Sequence, residues 1–409
     1  MTGKKRIFII CISILIILGL ILGICLYTNK CKAQKKTIHI GFYNVDENLS
    51  EILAKKVTEL CQANEQNVSF INITSGKDFI SNDKKNKPDL IFASDGYAVR
   101  KALEASQKNA GLSSEILTAM FSSMQESVKY EDGKIKAVPL IFDNLEINIE
   151  KAEFNMSGMK AINTWEDIER FCAIQKTKYD YPMSFAGTEP VFLLDLMGAL
   201  GEALEKDGAY ERAAQILKDA EDKEEVDEKA LANKLFIDPD APLAYSFYFL
   251  KQFYKNKYLT PVFKDLRNKD INSYLEQRVT NIIFTTLSTH RSFNVKAISR
   301  YSSIYIPSKK RPEQRHFTAT TVFAVPMTDS PAAKQLAVDL LSTETQSSLS
   351  QLSGLAPVLA NCPTPDKQAD DARFWIAATS TPLAGLGHEA DFTPDQLEAL
   401  RKEICKLIF

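Results

Sequence analysis

The chain lacks an excess of charge of either sign. Its 409 residues include 50 Lys and Arg against 52 Asp and Glu, a net charge of −2 at pH 7. No basic stripe stands out along the sequence, and a protein that binds nucleic acid through its phosphates needs one. We therefore expect no nucleic-acid partner.

Cysteine and histidine are also scarce. The seven cysteines and four histidines are scattered, without a C-x-x-C or a Cys/His cluster. Neither a disulfide framework nor a zinc site is indicated, and we expect no metal or other cofactor. Cys61, Cys172 and Cys405 fall on apolar faces of predicted helices, which favours core packing.

The sequence signatures of common enzymes are missing. There is no G-x-S-x-G, H-E-x-x-H, Walker-type loop or dinucleotide fingerprint. S-x-x-K occurs at 81–84 and 157–160, but no K-T-G follows, which argues against a penicillin-binding or β-lactamase enzyme. A carbohydrate hydrolase stays open, because Asp95, Asp143 and Glu189 could share a cleft as paired acids.

One long apolar run is present, at the N-terminus. Residues 7–26 carry no charge, and about 20 apolar residues span a hydrocarbon core of ~30 Å as a helix. This length favours a retained anchor over a cleavable signal, whose apolar part has about 7–15 residues. Leu22–Cys25 also resembles a lipobox, with a bulky Ile24 where a small residue is expected, so lipidation of Cys25 is the alternative. We expect residues 1–36 to tether a body that lies outside the cytoplasm.

The body, residues 37–409, is long enough for two lobes, because single cores stop growing at about 250–300 residues. Predicted strands at 38–43, 68–74 and 89–94 alternate with helices, which indicates α/β lobes with mixed, mostly parallel sheets. Ligands bind beyond the carboxyl ends of such strands. The residues at these ends are Tyr43, Asn44, Asp95 and Tyr97.

The stretch 134–151 reads as two β runs that are interrupted by Asp143 and Asn144. A buried, unpaired carboxylate is costly, so an acid within a β run indicates an edge, a bend or a site. We predict that the chain crosses here from one lobe to the other, with Asp143 facing the gap. The alternative is a solvated loop between two strands of one sheet.

Further along, Thr164 and Asp167 predict a capping box. Glu189 precedes a helix that starts at Pro190, where it could serve a site or simply cap the helix. Residues 205–235 are charged and predict a solvated helical insertion.

Five segments share their order and spacing with a known family. They are Pro88–Phe92, Asp132–Pro139, Thr164–Ile168, Glu189–Phe192 and Arg373–Ile376. On these segments, the chain from about residue 37 to its end, some 370 residues, resembles the ABC-transporter solute-binding proteins of the maltose and maltodextrin type. The resemblance implies a two-lobed periplasmic-binding-protein fold of type II, with 37–143 and 279–326 in lobe 1 and 144–278 and 327–409 in lobe 2.

The resemblance also implies a site and partners. Asp143, four residues beyond Pro139, matches an acidic sugar ligand, and Glu189 matches another. Asn144 and Asp95 would hold sugar hydroxyls beside them, and Trp375 matches a stacking aromatic. Val191 departs from an aromatic position of the family, and Leu287–Thr289 replaces a G-x-W segment. The implied protein is a monomer of the bacterial cell envelope, not an enzyme, that delivers a sugar or small polar solute to an ABC permease. A sensor or scaffold of the same fold that no longer serves transport is the alternative, and the departures favour it somewhat.

Overall fold

The computed structural model describes residues 37–73, 87–106, 111–125, 128, 133–204, 208–221, 226–307, 318–378 and 382–408. The predicted anchor with Cys25, the motif at 81–84 and Asp132 lie outside these residues. Within them, no helix has the length and apolar character that a membrane crossing requires. No group of His, Cys, Asp and Glu in the same ranges could hold a metal ion.

The described strands form one continuous, mixed sheet. They are β1 Thr37–Tyr43, β2 Asn67–Ile73, β3 Leu90–Ser94, β4 Val138–Glu150, β5 Met183–Ser184, β6 Ile282–Thr286, β7 Tyr301–Ile304, β8 Thr318–Pro326 and β9 Ala356–Pro357. Their order is β2-β1-β3-β8-β4-β6-β5, and β7 and β9 also pair with β4. Pairing is parallel for β1 with β2, β1 with β3 and β5 with β6. The pairs that β8 and β4 make are antiparallel, so the sheet is less parallel than the sequence predicted.

Helices cover the sheet. They are α1 Glu47–Ala63, α2 Tyr97–Ala105, α3 Ser122–Gln125, α4 Lys151–Met156, α5 Trp165–Gln175, α6 Pro190–Leu204, α7 Ala209–Glu221, α8 Glu228–Phe236, α9 Ala244–Lys255, α10 Asn268–Gln277, α11 Leu287–Ser292, α12 Val295–Ile298, α13 Pro331–Asp339, α14 Thr343–Ser353, α15 Lys367–Ala378 and α16 Pro394–Ile408. Short 3₁₀ turns lie at Ser114–Ala119, Phe263–Asp265 and Leu386–His388.

Local chemistry explains the helix starts. Asp46 caps α1 by accepting a hydrogen bond from the Leu49 backbone N–H. Apolar side chains four residues apart, such as Leu49 and Leu53, lie on one face of α1 and pack in the core. Thr164 and Asp167 form the predicted capping box at the start of α5.

Two large hydrophobic cores lie on either side of the middle of β4. The first is built from residues between 38 and 142, Leu287, and residues between 322 and 376. The second is built from residues between 145 and 284, Ile306, and residues between 386 and 408. We call these parts the first lobe and the second lobe. Fully burying one Leu or Phe contributes about 1.5–3 kcal/mol, so either core can hold a lobe together.

β4 joins the two lobes without a loop. Phe142 packs in the first core and Leu145 in the second, and the register with β8 shifts between Asp143 and Asn144. The predicted crossing therefore occurs at this pair, within one continuous strand. The alternative of a solvated loop inside one sheet is wrong.

The predicted domain boundaries differ from this packing. The segment 279–326 was assigned to lobe 1, but β6 pairs with the second-lobe end of β4 and packs in the second core. The segment 327–409 was assigned to lobe 2, but Leu336, Leu349 and Ile376 of α13–α15 pack in the first core. An amphipathic pattern shows that an element is half buried, but it does not show which of the two cores it packs against.

The prediction of a solvated insertion at 205–235 is also wrong for the residues that the structure describes. Helices α7 and α8 place Tyr210, Leu217, Leu231 and Leu235 in the second core. Much of the buried face of α7 is alanine (Ala209, Ala213, Ala214 and Ala220), and the many charged residues around both buried faces mask them in the sequence.

Candidate functional site

Two of the predicted residues meet at the carboxyl ends of β1 and β3. Tyr43 ends β1 and Tyr97 begins α2, and their rings meet edge to face with centroids 6.3 Å apart. Asp391 lies close to both tyrosines, and its charge helps to raise the pKa of each. Burial raises the pKa of both tyrosines, which therefore stay neutral and can donate hydrogen bonds.

Asp95 and Asn44 lie at the same edge. The Asp95 carboxylate accepts a hydrogen bond from the Gly96 backbone N–H at 2.8 Å. Burial raises the pKa of Asp95 to about 6, although the bond from Gly96 opposes the rise. Asn44 has a positive φ of 52° and an exposed side chain, and its carbonyl accepts a hydrogen bond from the Ser94 hydroxyl. Asn44 thus shapes the turn after β1 through its backbone.

Asp143 connects the crossing point of β4 to the start of α11. One carboxylate oxygen accepts hydrogen bonds from the backbone N–H of Ser288 at 2.9 Å and of Asn144 at 2.8 Å. The other accepts from the Ser288 hydroxyl at 2.5 Å. Burial nevertheless raises the pKa of Asp143 to about 6. Asn144, the next residue, is fully buried.

A segment that the sequence analysis did not single out completes this region. Residues 384–391, between α15 and α16, belong to the second core through Leu386 and Ala390 but reach the first lobe. Glu389 accepts hydrogen bonds from Arg100 of α2 at 2.5 Å and from the Tyr210 hydroxyl at 2.9 Å, and Lys218 lies 3.3 Å away. Burial alone would raise the pKa of Glu389, but Arg100 and Lys218 outweigh it and hold that pKa below its ordinary value.

Asp195 and His388 extend the same cluster toward β8. The Asp195 carboxylate accepts a hydrogen bond from the Gly387 backbone N–H at 2.8 Å, and His388 Nε2 lies 3.0 Å from the Thr320 hydroxyl. Burial raises the pKa of Asp195 well above its ordinary value, and the charge of Asp143 adds to the rise. Burial lowers the pKa of His388 to about 4, so its ring is neutral at pH 7.

We call this set the interlobe cluster. Its members from the first lobe and the crossing strand are Tyr43, Asp95, Tyr97, Arg100, Asp143 and Thr320, and those from the second lobe are Asp195, Tyr210, Lys218, His388, Glu389 and Asp391. The only sequence signal for its second-lobe part is the acid- and glycine-rich run at 385–391, which carries no known motif.

The other two predicted residues have different surroundings. Trp375 lies on α15, packs against the first core and meets Tyr305 edge to face, with ring centroids 5.8 Å apart. Glu189 is half-buried just before α6, and no hydrogen bond or ion pair joins its carboxylate to another described residue.

A cavity of about 540 Å³ lies outside the interlobe cluster, and its lining includes His290, Arg291, Asp366 and Gln368. At its inner wall, Gln368 of α15 donates to the fully buried Glu146 at 2.8 Å. This wall is a second polar contact between the lobes.

Comparisons with known proteins agree on the fold. No family model matches the chain, and no curated protein matches it in sequence. Solved structures do match. The bacterial solute receptor AcbH, described as having an exclusive preference for β-D-galactopyranose, superposes with a TM-score of 0.68 at 14% identity, over 91% of this chain and 97% of its own.

Two further receptors match in the same way. RafE from Streptococcus pneumoniae gives a TM-score of 0.63 at 12% identity, over 92% of this chain and 97% of its own. The GacH receptor of Streptomyces glaucescens, solved with acarbose, gives a TM-score of 0.57 at 12% identity, over 91% of this chain and 93% of its own. This chain therefore has the two-lobed fold of the bacterial sugar-binding solute receptors.

Proposed function

We propose that this protein is an extracytoplasmic solute-binding protein that captures a sugar or another small polar solute between its lobes for an ABC permease. One observation carries the proposal. The chain matches sugar receptors over nearly its whole length, and it gathers hydroxyl and carboxylate groups from both lobes where β1 and β3 end. In open α/β sheets this edge is where ligands bind.

The chemistry of the cluster suits a polyhydroxylated ligand. Carboxylates accept strong hydrogen bonds from hydroxyl groups, and neutral tyrosines donate them. Asp143 already takes a hydroxyl bond from Ser288, so a sugar hydroxyl in that position would meet the same acceptor. A ligand that touches both lobes binds the closed state better than the open state, and this difference in affinity shifts the population toward closure.

The ligand class rests on the neighbours. AcbH is described with galactopyranose, GacH with acarbose and a second RafE structure with raffinose. We carry over the class, carbohydrate, and none of the individual sugars, because Val191 and Thr289 stand where the maltose type has aromatic platforms. We assign Trp375 as a stacking residue and Asp143 and Asp95 as hydroxyl ligands. Glu189 remains a weaker candidate.

The remaining parts of the proposal concern the setting. Residues 1–36 would tether the body to the membrane of a bacterial envelope, and a monomer would dock on the permease. We propose no enzymatic activity, since the neighbours are receptors. A sensor of the same fold is the second candidate, because groups of the interlobe cluster bond to one another across the lobes.

A thermal-shift screen of residues 37–409 against mono- and oligosaccharides tests the function. A sugar at a hundred times its Kd stabilises the folded state by about 2.7 kcal/mol, and Asp143→Ala and Trp375→Ala should reduce or abolish the shift. Asp238→Ala, at an exposed position of the second lobe, is the control that should leave the shift intact.

Other outcomes would contradict the proposal. If no sugar stabilises the chain and a partner protein is recovered instead, a role as a sensor replaces the proposed role in transport. If the sugar is cleaved and cleavage vanishes in Asp143→Ala, the protein is a hydrolase.

A further inference from the structure

Glu389 lies at a junction between the two lobes. Its side chain is only 9% exposed, and Arg100 of the first lobe approaches one of its carboxylate oxygens at 2.5 Å. A second nitrogen of Arg100 donates to the Glu389 carbonyl at 2.7 Å, so one guanidinium grips both the side chain and the main chain. From the second lobe, Tyr210 and Lys218 hold the same carboxylate in place.

Charge and burial make this contact strong. Hydrogen bonds between ionised partners are about twice as strong as neutral ones, and a partly buried pair is screened less than a surface pair. Neighbouring groups add to it, since Asp391 lies close to Tyr43 and Tyr97, and His388 Nε2 lies 3.0 Å from the Thr320 hydroxyl. All of these contacts join residues 384–391 to the first lobe.

Two glycines fit the segment to its partners. A Cβ added to Gly96 would lie 2.3 Å from the His388 carbonyl oxygen, and one added to Gly385 would lie 2.3 Å from the Asp195 carboxylate. Non-bonded atoms do not approach so closely, so a side chain at either position would push the segment away. The backbones of the two lobes therefore meet at Gly96 without an intervening side chain.

We propose that residues 384–391 form a latch that holds the two lobes closed in the absence of ligand, with Glu389 as the residue that fastens it to Arg100. The latch uses the chain's own groups for the contacts between lobes that a captured solute would otherwise provide. A role of the latch in solute capture rests on the proposed function. Its role in holding the lobes closed is independent of that function.

The latch has a consequence for binding. A solute that needs Tyr43, Asp95 or Tyr97 must first release residues 384–391. Its apparent Kd is then weakened by the fraction of molecules that are open. Loosening the latch should raise that fraction.

Distance measurements by double electron–electron resonance test the latch without any sugar. Spin labels at Ala105→Cys on α2 and Gln215→Cys on α7 occupy exposed positions on the two helices whose side chains reach Glu389. The full chain in detergent micelles is used, with the N-terminal cysteines replaced by serine: Cys11, Cys25 and Cys31. The cysteines of the described residues are buried and stay unlabelled.

We expect one short distance in the parent chain. Glu389→Gln, which keeps the shape of the side chain but loses its charge, should add a longer distance and increase the open fraction about tenfold. Arg100→Met should do the same from the other lobe. Glu398→Gln is the matched control, because Glu398 pairs with Arg401 on the same helix of the second lobe.

The proposal is overturned if neither Glu389→Gln nor Arg100→Met lengthens the distance, or if Glu398→Gln lengthens it equally. A thermal melt of each variant verifies that it is folded. The distance measurement contains no sugar, so a negative sugar screen does not contradict the latch. Likewise, a negative distance measurement does not contradict the proposed function.

Discussion

Replacing Asp143 by asparagine should change how stability depends on pH. The pKa of this carboxyl is raised from 3.8 to about 6 in the folded chain, with burial as the main cause. An acid whose folded pKa is raised binds more protons in the folded state than in the unfolded state between these two values. Stability therefore falls as pH rises from about 4 to about 6, and below the unfolded pKa the penalty is absent.

The size of the effect follows from the two pKa values. A rise from 3.8 to about 6 penalises the folded state by about 3 kcal/mol at pH 7, where the group is ionised in both states. Asparagine cannot ionise, so Asp143→Asn removes this slope. It also gives up one acceptor of the Ser288 bonds, a cost of about 1 kcal/mol that does not vary with pH.

Urea denaturation of both chains at pH 4 and pH 7 measures the slope. We expect the stability of the parent relative to Asp143→Asn to fall by 2–3 kcal/mol, on the order given by the pKa shift, as pH rises from 4 to 7. Ser288→Ala removes a hydroxyl hydrogen bond that lowers the pKa of Asp143. In this variant the fall in stability with rising pH should therefore continue to a higher pH than in the parent. A difference between parent and Asp143→Asn that stays constant from pH 4 to 7 would refute the reasoning.

Three further predictions rest on other contacts. Gly96→Ala should destabilise the chain by at least about 2 kcal/mol more than Gly133→Ala in urea denaturation, because both glycines have a positive φ but only Gly96 meets a backbone oxygen; equal losses would contradict this. Thr164→Ala should cost about 1 kcal/mol in the same assay through loss of the α5 cap, and Thr164→Ser should restore most of it. In native residues 37–409, thiol titration should find no reactive cysteine, and unfolding should release four: Cys61, Cys172, Cys362 and Cys405.

Local patterns predicted much of the fold. The stripe of α1, the capping box at Thr164 and the strands that end at Tyr43 and Ser94 depend on neighbours within a few residues, and the structure has all of them. The acid within the β run of 134–151 marked the crossing between the lobes, since a carboxylate is costly inside a sheet unless it has partners. The partner that satisfies it, Ser288, lies 145 residues away and has no signal in the sequence.

Long-range choices were predicted less well. By their pattern, the helices after β8 could cover either part of the sheet; α13–α15 pack in the first core and α16 packs in the second. β6, which was expected in lobe 1 with the rest of 279–326, packs in the second core. Helices α7 and α8 were expected in solvent because residues 205–235 are rich in charge, and they pack in the second core. In both cases the surface against which the element packs decides its position. The residues that form that surface are far apart in the sequence.

The sequence by itself determined the kind of protein: an α/β body of two lobes, with tyrosines and aspartates where its strands end. Only the tertiary structure decided what meets those residues, because residues 384–391 reach them from the far end of the chain. Secondary structure follows from periodicity and caps within one or two turns. Contacts such as Arg100 with Glu389 exist only after both cores have formed and the lobes have come together.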